Sequence, residues 1–298
     1  CCIGLFFTNL LTGFENISIS DLFIPSNDVK QQIISYRLHK TLAVIFAGIS
    51  LPVSGFLLQE LFKNPLAEPS ILGISSASAL AVALIIFLGI PQLLGSHDWL
   101  GGWIIILSAF LGALSVTLLL FSVTKSIRNA STFIIIGLLL SSLCSSIIST
   151  LQFYSQSETL KQYIMWSFGS FEGLTQTQIL VYFTCVLLGL FPAFLSVKKL
   201  TGFLLGESYA QVLGVNLSMM KTGILISVCF LTGSTTAMLG PIVFIGIMVP
   251  HFCRQIWNPA ALWNQIILNI FVGIGFMLCI SLVIIQTQLP VNILSSLI

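Results

Sequence analysis

Two stretches of this chain, Pro69 to His97 and Gln255 to Ile298, contain no Asp, Glu, Lys or Arg at all. Sequence this long, apolar and uncharged cannot form the surface of a soluble domain. In a bilayer, where no water satisfies the backbone, it must fold as a helix or a closed barrel. Runs long enough to cross as helices, about 20 residues each, occupy roughly 41 to 62, 71 to 95, 100 to 123, 131 to 151, 179 to 197, 222 to 249 and 261 to 285. Charged residues make up 7% of the chain, against about 25% in soluble domains, so the fold class is all-α: a polytopic membrane helical bundle forming one domain over 1–298. The 222 to 249 run is broken at Leu239 to Pro241 and reads as two helices, the second short, which makes eight. The leading CCIGLFFTNLL is too short to cross and shows no basic leader or cleavage site. It reads as the tail of a span, and the final LPVNILSSLI as the start of another. About ten spans are expected in the intact protein, the first and last cut short here.

If the leading stub exits the cytoplasm, the loops alternate and every basic residue is placed. Lys63, Lys125, Arg128, Lys198, Lys199, Lys221 and Arg254 fall inside, and Lys30, Arg37, Lys40 and Lys161 outside, a ratio of seven to four that favours this orientation.

The chemistry that is missing narrows the function. Ion-coupled transporters and membrane enzymes use ionisable groups at membrane depth, and the spans are nearly empty of them. No GxxxxGK[ST] loop is present to cradle nucleotide phosphates, so uphill transport would draw its energy from a partner. The seven cysteines form no CxxC and no zinc spacing with histidine. His251 and Cys253 alone do not make a metal site.

Four features invite a functional reading. FKNPLAEPSILG, residues 62 to 73, is a polar turn in which Pro65 and Pro69 block helix continuation and Asn64 can satisfy backbone groups left free. LGESYAQVLGV, Leu205 to Val215, reads as a short helix ended by Gly214, with Ala210 and Leu213 on one side; it is either a surface connector or a plug for a groove on another protein. Ser141, Ser142, Ser145, Ser146 and Ser149 share a helix face that either lines a pathway or packs closely. Arg37 and Lys40, three apart, share a face at the outer start of a helix, where dipole and topology both disfavour cations. They snorkel to headgroups, pair with Asp28, or meet an acidic partner.

Together, RLHKTLAVIFAG, SGFLLQELFKNPLAEPSILGIS, LGESYAQVLGV, GPIVFIGIMVPHFCR and the late LPVN closely resemble the FecCD family, membrane subunits of type II ABC importers for iron-siderophores, haem and cobalamin. The resemblance runs from about residue 13 to the C-terminus. It implies a multi-pass permease of the bacterial cytoplasmic membrane, not itself an enzyme, with membrane lipid around it and no nucleic acid. It further implies a second permease subunit as a homodimer partner, two cytoplasmic ATP-binding subunits and an external substrate-binding protein. No cofactor is expected on this chain; ATP and Mg belong to the partner subunits. By the same resemblance Leu205, Gly206, Glu207, Ala210, Leu213, Gly214 and Val215 contact the ATPase, and Arg37 and Lys40 dock the binding protein. Asn64, Leu66, Ser131 and Thr132 are gate candidates, and Ser142, Ser145, Ser146 and Ser149 line the pathway. Iron-siderophore is the first expectation for cargo, ahead of haem and cobalamin. An ion-coupled transporter of a metal chelate is the alternative. The family's usual Asp and Arg before the late LP align with Met277 and Ser281 here, and His39 stands where members commonly have Pro.

Overall fold

A computed structural model describes residues 2–13, 17–18, 28–90, 98–124, 130–257, 259 and 261–297. Among them the regular structure is helical throughout, with no strand. In chain order the helices are α1 (Cys2–Leu11), α2 (Asp28–Phe62), α3 (Ile74–Phe87), α4 (Asp98–Thr124), α5 (Ala130–Tyr154) and α6 (Ser157–Ser167). They continue as α7 (Gln176–Leu204), α8 (Glu207–Val212), α9 (Leu217–Leu239), α10 (Ile245–Ile256), α11 (Leu262–Thr287) and α12 (Val291–Leu297). Six of these, α2, α4, α5, α7, α9 and α11, are long and apolar enough to cross a bilayer.

The break expected near residue 240 is present. α9 stops at Leu239, Gly240 takes φ 81°, and α10 is a separate helix of 12 residues. Within α9, Cys229–Gly233 form a single π turn, the kind of local insertion found inside otherwise regular helices.

The expected span 71 to 95 is corrected at its start, while residues 91–95 lie outside the described residues. Helix α3 has 14 residues, and 63–73 are non-helical. Lys63 at φ 49°, Gly73 at φ 83° and two prolines hold the backbone out of the helical range, so the apolar run begins as a turn.

Helix α2 is the hub, packed against α7, α10 and α11. Two glycine pairs set its closest approaches. Gly48 faces the backbone of Gly273 in α11, and Gly55 faces Gly246 in α10, so that a Cβ at either α2 position would run into backbone. Pro52 lacks the amide that would bond the Gly48 carbonyl, and that oxygen lies against Gly273.

Polar contacts separate two ends of the bundle. One end joins the 62–73 turn to the C-terminus of α7 through Lys63, the end of α2 to α10 through Glu60 and Arg254, and α8 to the start of α9 through Glu207 and Lys221. The opposite end joins α1, the start of α2 and the α6–α7 loop through Arg37, Lys40 and Glu172.

Candidate functional site

The turn is built largely as its residue types dictate. Asn64 Oδ1 accepts the Leu66 amide at 3.0 Å, and the Asn64 carbonyl accepts Ala67 N–H at 3.1 Å. Leu66 is left 62% exposed at the tip, while Asn64 is half-buried. Lys63 Nζ donates to the Leu204 carbonyl at 3.3 Å and lies 5.3 Å over the Phe203 ring, which ties the turn to the end of α7.

The turn also carries a residue that sequence reasoning passed over. Glu68 is 4% exposed, and its Oε1 accepts the Phe244 N–H at 2.9 Å at the N-terminus of α10. Burial pushes its carboxyl up to about 7, with the Phe244 N–H and the Ser70 hydroxyl opposing part of that rise. The signal was available as the one acidic residue between two prolines in an apolar setting, but sequence does not reveal burial. Around it, Gln59 donates to the Gly246 carbonyl at 3.0 Å, Arg254 donates to Gln59 Oε1, and Arg254 lies 3.7 Å from Glu60. α10 is thus held at both ends by α2 and the turn. His251 is exposed and bonded to Gln255, whereas Cys253 is fully buried, so the two do not converge. Among the described residues no group of three metal-ligating side chains exists.

Helix α8 is present over Glu207–Val212, with Gly214 at φ 79° after its C-terminus as a cap requires. Its expected face is corrected. Ala210 has no exposure and sits in the apolar core, and its carbonyl accepts Val215 N–H at 2.9 Å. The outward face is instead Leu205, Tyr209, Val212 (85% exposed) and Leu213. Tyr209 and Val212 were missed, although the spacing 205, 209, 212 follows helical periodicity. Glu207 pairs with Lys221 at 3.2 Å, and Gly206 precedes the helix at φ 127°.

Helix α5 is the least buried of the six long helices. Ser142, Ser145, Ser146 and Ser149 are exposed on it, beside Leu139, Leu143 and Ile147, while Cys144 and Ile148 face inward. Ser149 Oγ donates to the Ser145 carbonyl at 2.9 Å. Ser141 is half-buried and reaches the Ser70 carbonyl at 3.4 Å, joining this helix to the turn. Thr132 is half-buried; the Ser131 side chain lies outside the described residues.

At the opposite end the expected pair is corrected in position and exposure. α2 begins at Asp28, so Arg37 and Lys40 stand well beyond its first turn, where the dipole penalty has faded. Arg37 is only 7% exposed and donates to the carbonyls of Leu10 and Leu11 at 3.1 and 3.0 Å, capping the C-terminus of α1. Lys40 pairs with Glu172 at 2.8 Å rather than with Asp28. Burial alone would raise the Glu172 carboxyl, but the Lys40 bond and charge, with a bond from Tyr36, bring it below its ordinary value. Both basic residues line a cleft of about 730 Å³ with Tyr36, Phe168, Glu172 and Gln288.

The assembled geometry has counterparts among known proteins. The chain is 33% identical over 248 residues to the hemin transport system permease protein HmuU of Yersinia pestis, covering 82% of this chain and 72% of that one. It is 31% identical over 250 residues to the vitamin B12 import system permease protein BtuC of Shigella boydii, with 83% and 72% covered. In structure it matches a metal-chelate type ABC transporter in an inward-facing conformation at TM-score 0.82 and 26% identity, across 100% of this chain and 92% of that one. PsaBC from Streptococcus pneumoniae shares the fold at TM-score 0.54 and 16% identity, across 94% and 92%. A sequence model that matches residues 1–298 places this multi-pass membrane chain in the FecCD transport family.

Proposed function

We propose that the chain is the permease subunit of an ATP-driven importer that carries a metal chelate into the cytoplasm. Two copies pair along their least buried helices, and two ATPase subunits are seated on the end bearing α8. The observation that carries this reading is the outward face of α8. Tyr209 and Val212 on this six-residue helix, with Leu205 and Leu213 flanking it, are exposed between α7 and α9. Such a projection suits a groove on a soluble partner, since an exposed apolar helix face gains by burial there. The end that carries it is then cytoplasmic, and the cleft holding Lys40 and Glu172 faces the external binding protein, with Lys40 its basic contact.

For cargo we favour a coordinatively complete iron-siderophore. The exposed face of α5 offers hydroxyls and apolar groups, and among the described residues it presents no His, Cys or carboxylate to compete for the metal. Relatives named for hemin and vitamin B12 supply the other two cargoes to be tested. Ser142, Ser145, Ser146 and Ser149 line the passage in this reading, and Asn64, Leu66 and Thr132 stand at its inner mouth.

The test is reconstitution. The permease, its cognate ATPase and binding protein are placed in liposomes and offered a ferric hydroxamate, hemin or cobalamin. ATP-dependent accumulation of the ferric hydroxamate above the other two is expected. Uptake that proceeds without the ATPase would overturn the importer reading, and preference for hemin or cobalamin would overturn the cargo.

A further inference from the structure

Resting on the importer reading, we propose that Glu68 is a positioning residue of the transport cycle, whose carboxylate on the Phe244 N–H makes the 62–73 turn and α10 move as one body.

The turn touches three elements that the transport reading requires to act together. Toward the ATPase-facing end, Lys63 binds the last carbonyl of α7 and lies over Phe203; Lys221 lies 6.0 Å from the same ring and pairs with Glu207 of α8. Toward the passage, Ser70 accepts from Ser141 of α5, and the backbone of Ile71 and Leu72 abuts Gly137. Toward α10, the contact is Glu68. A displacement of α8 therefore reaches α5 and α10 through the same eleven-residue segment between α2 and α3.

The Glu68 link is costly to break because the carboxyl is 4% exposed and has no ready access to water in place of the Phe244 N–H. The carboxylate is buried, the amide it accepts from is one of the unpaired donors at the start of a helix, and the helix dipole favours negative charge there. Phe244 sits at φ 69°, so its amide direction is set by a backbone turn, and Glu68 bridges that turn to the 62–73 segment. The approach is tight on the other side too. Gly246 lies against both Glu68 and the Gly55 backbone, leaving α10 no room to slide past the turn. An apolar side chain of similar size would fill the space and leave the amide unpaired. α10 would then be free to lag behind the turn.

The experiment compares Glu68→Gln and Glu68→Leu with wild type in the reconstituted complex of permease, ATPase and binding protein. Glutamine keeps an acceptor oxygen for Phe244; leucine does not. For E68L the maximal uptake rate is expected to fall about tenfold, in the range usual for lost coupling between sites. Copurification of the ATPase, basal hydrolysis and the KM for the transported chelate should stay within about twofold, and E68Q should restore most of the rate. A merely structural role would instead lower yield and ATPase copurification along with rate, and that outcome overturns the proposal, as does E68L uptake equal to wild type. Should E68L not accumulate in the membrane, a second arm decides. Cysteines at 68 and 244, in a background without native cysteines, are joined by a short bis-thiol reagent. Uptake preserved after cross-linking supports one-body motion, and uptake abolished by it refutes it. Wild type that takes up no chelate with ATP overturns the importer reading itself, and this inference with it.

Discussion

Glu68 gives the folded chain a proton-dependent stability whose sign follows from its burial. In the unfolded chain the carboxyl titrates near its ordinary 4.5; in the fold it titrates at about 7. Below 4.5 both states hold the proton and nothing is lost. Between 4.5 and about 7 the unfolded chain releases its proton while the fold keeps it, so stability falls as pH rises, and above about 7 the loss is complete. At about 1.4 kcal/mol per pH unit the total is about 3 kcal/mol. Glu68→Gln cannot titrate and should not show this slope. The assay is thermal unfolding of detergent-solubilised wild type and E68Q from pH 4 to 8, read by tryptophan fluorescence. Other carboxylates cancel in the comparison; Glu172, whose value is lowered, works in the opposite sense and loses stability only as pH falls through the acid range. The midpoint of wild type should drop by several degrees relative to E68Q across the window. Parallel curves would mean that the Glu68 carboxyl is reached by water or by a cation, and the burial argument would fail.

Val212→Glu should leave the permease in the membrane but cut ATPase copurification by about tenfold or more, since a charge would enter an apolar groove; Ala210→Glu, at a position with no exposure, should instead lower the yield of folded permease. Single cysteines at 142, 145, 146 and 149 in a cysteine-free background should react with water-soluble thiol reagents in at least one transport state, and uniform protection would make the stripe a packing surface. Gly55→Val should prevent stable folding, by about 3 kcal/mol or more, because its side chain would meet the Gly246 backbone rather than a movable side chain; normal membrane yield of that variant would contradict the contact. Arg37→Glu should likewise reduce yield, as it would set a carboxylate against two carbonyls, whereas Lys40→Glu should be rescued by Glu172→Lys.

How far the sequence could be read depended on what each residue needed to declare itself. Helical spans, the break at Gly240 and the caps at Asn64 and Gly214 were legible, because hydropathy, proline geometry and left-handed glycine act locally. Facing was not. Ala210 looked like an interface residue because it is small, yet it is buried in the apolar core; Arg37 looked like a docking cation, yet the α1 carbonyls that hold it are 26 and 27 residues away in sequence. Glu68 was invisible for the same reason, its partner being fixed only when α10 folds back onto the turn. Nor could the span 71 to 95 be told from a turn followed by a short helix, since the residues of 71–73 are as apolar as those of α3.

The brevity of α3 bears on how the chain enters the bilayer in the first place. At 1.5 Å per residue its 14 residues reach about 21 Å, short of the roughly 30 Å of hydrocarbon. Left alone, such a segment has little reason to stay inserted; its groups are completed by α5 and by Phe244, which follows Glu68 by 176 residues. Synthesis from the N-terminus therefore delivers this part of the membrane domain unfinished. The Glu68 carboxyl lacks the Phe244 N–H until the late helices arrive. Biogenesis of the importer thus has a natural checkpoint, and chains stopped before α10 should be the ones that quality-control proteases remove.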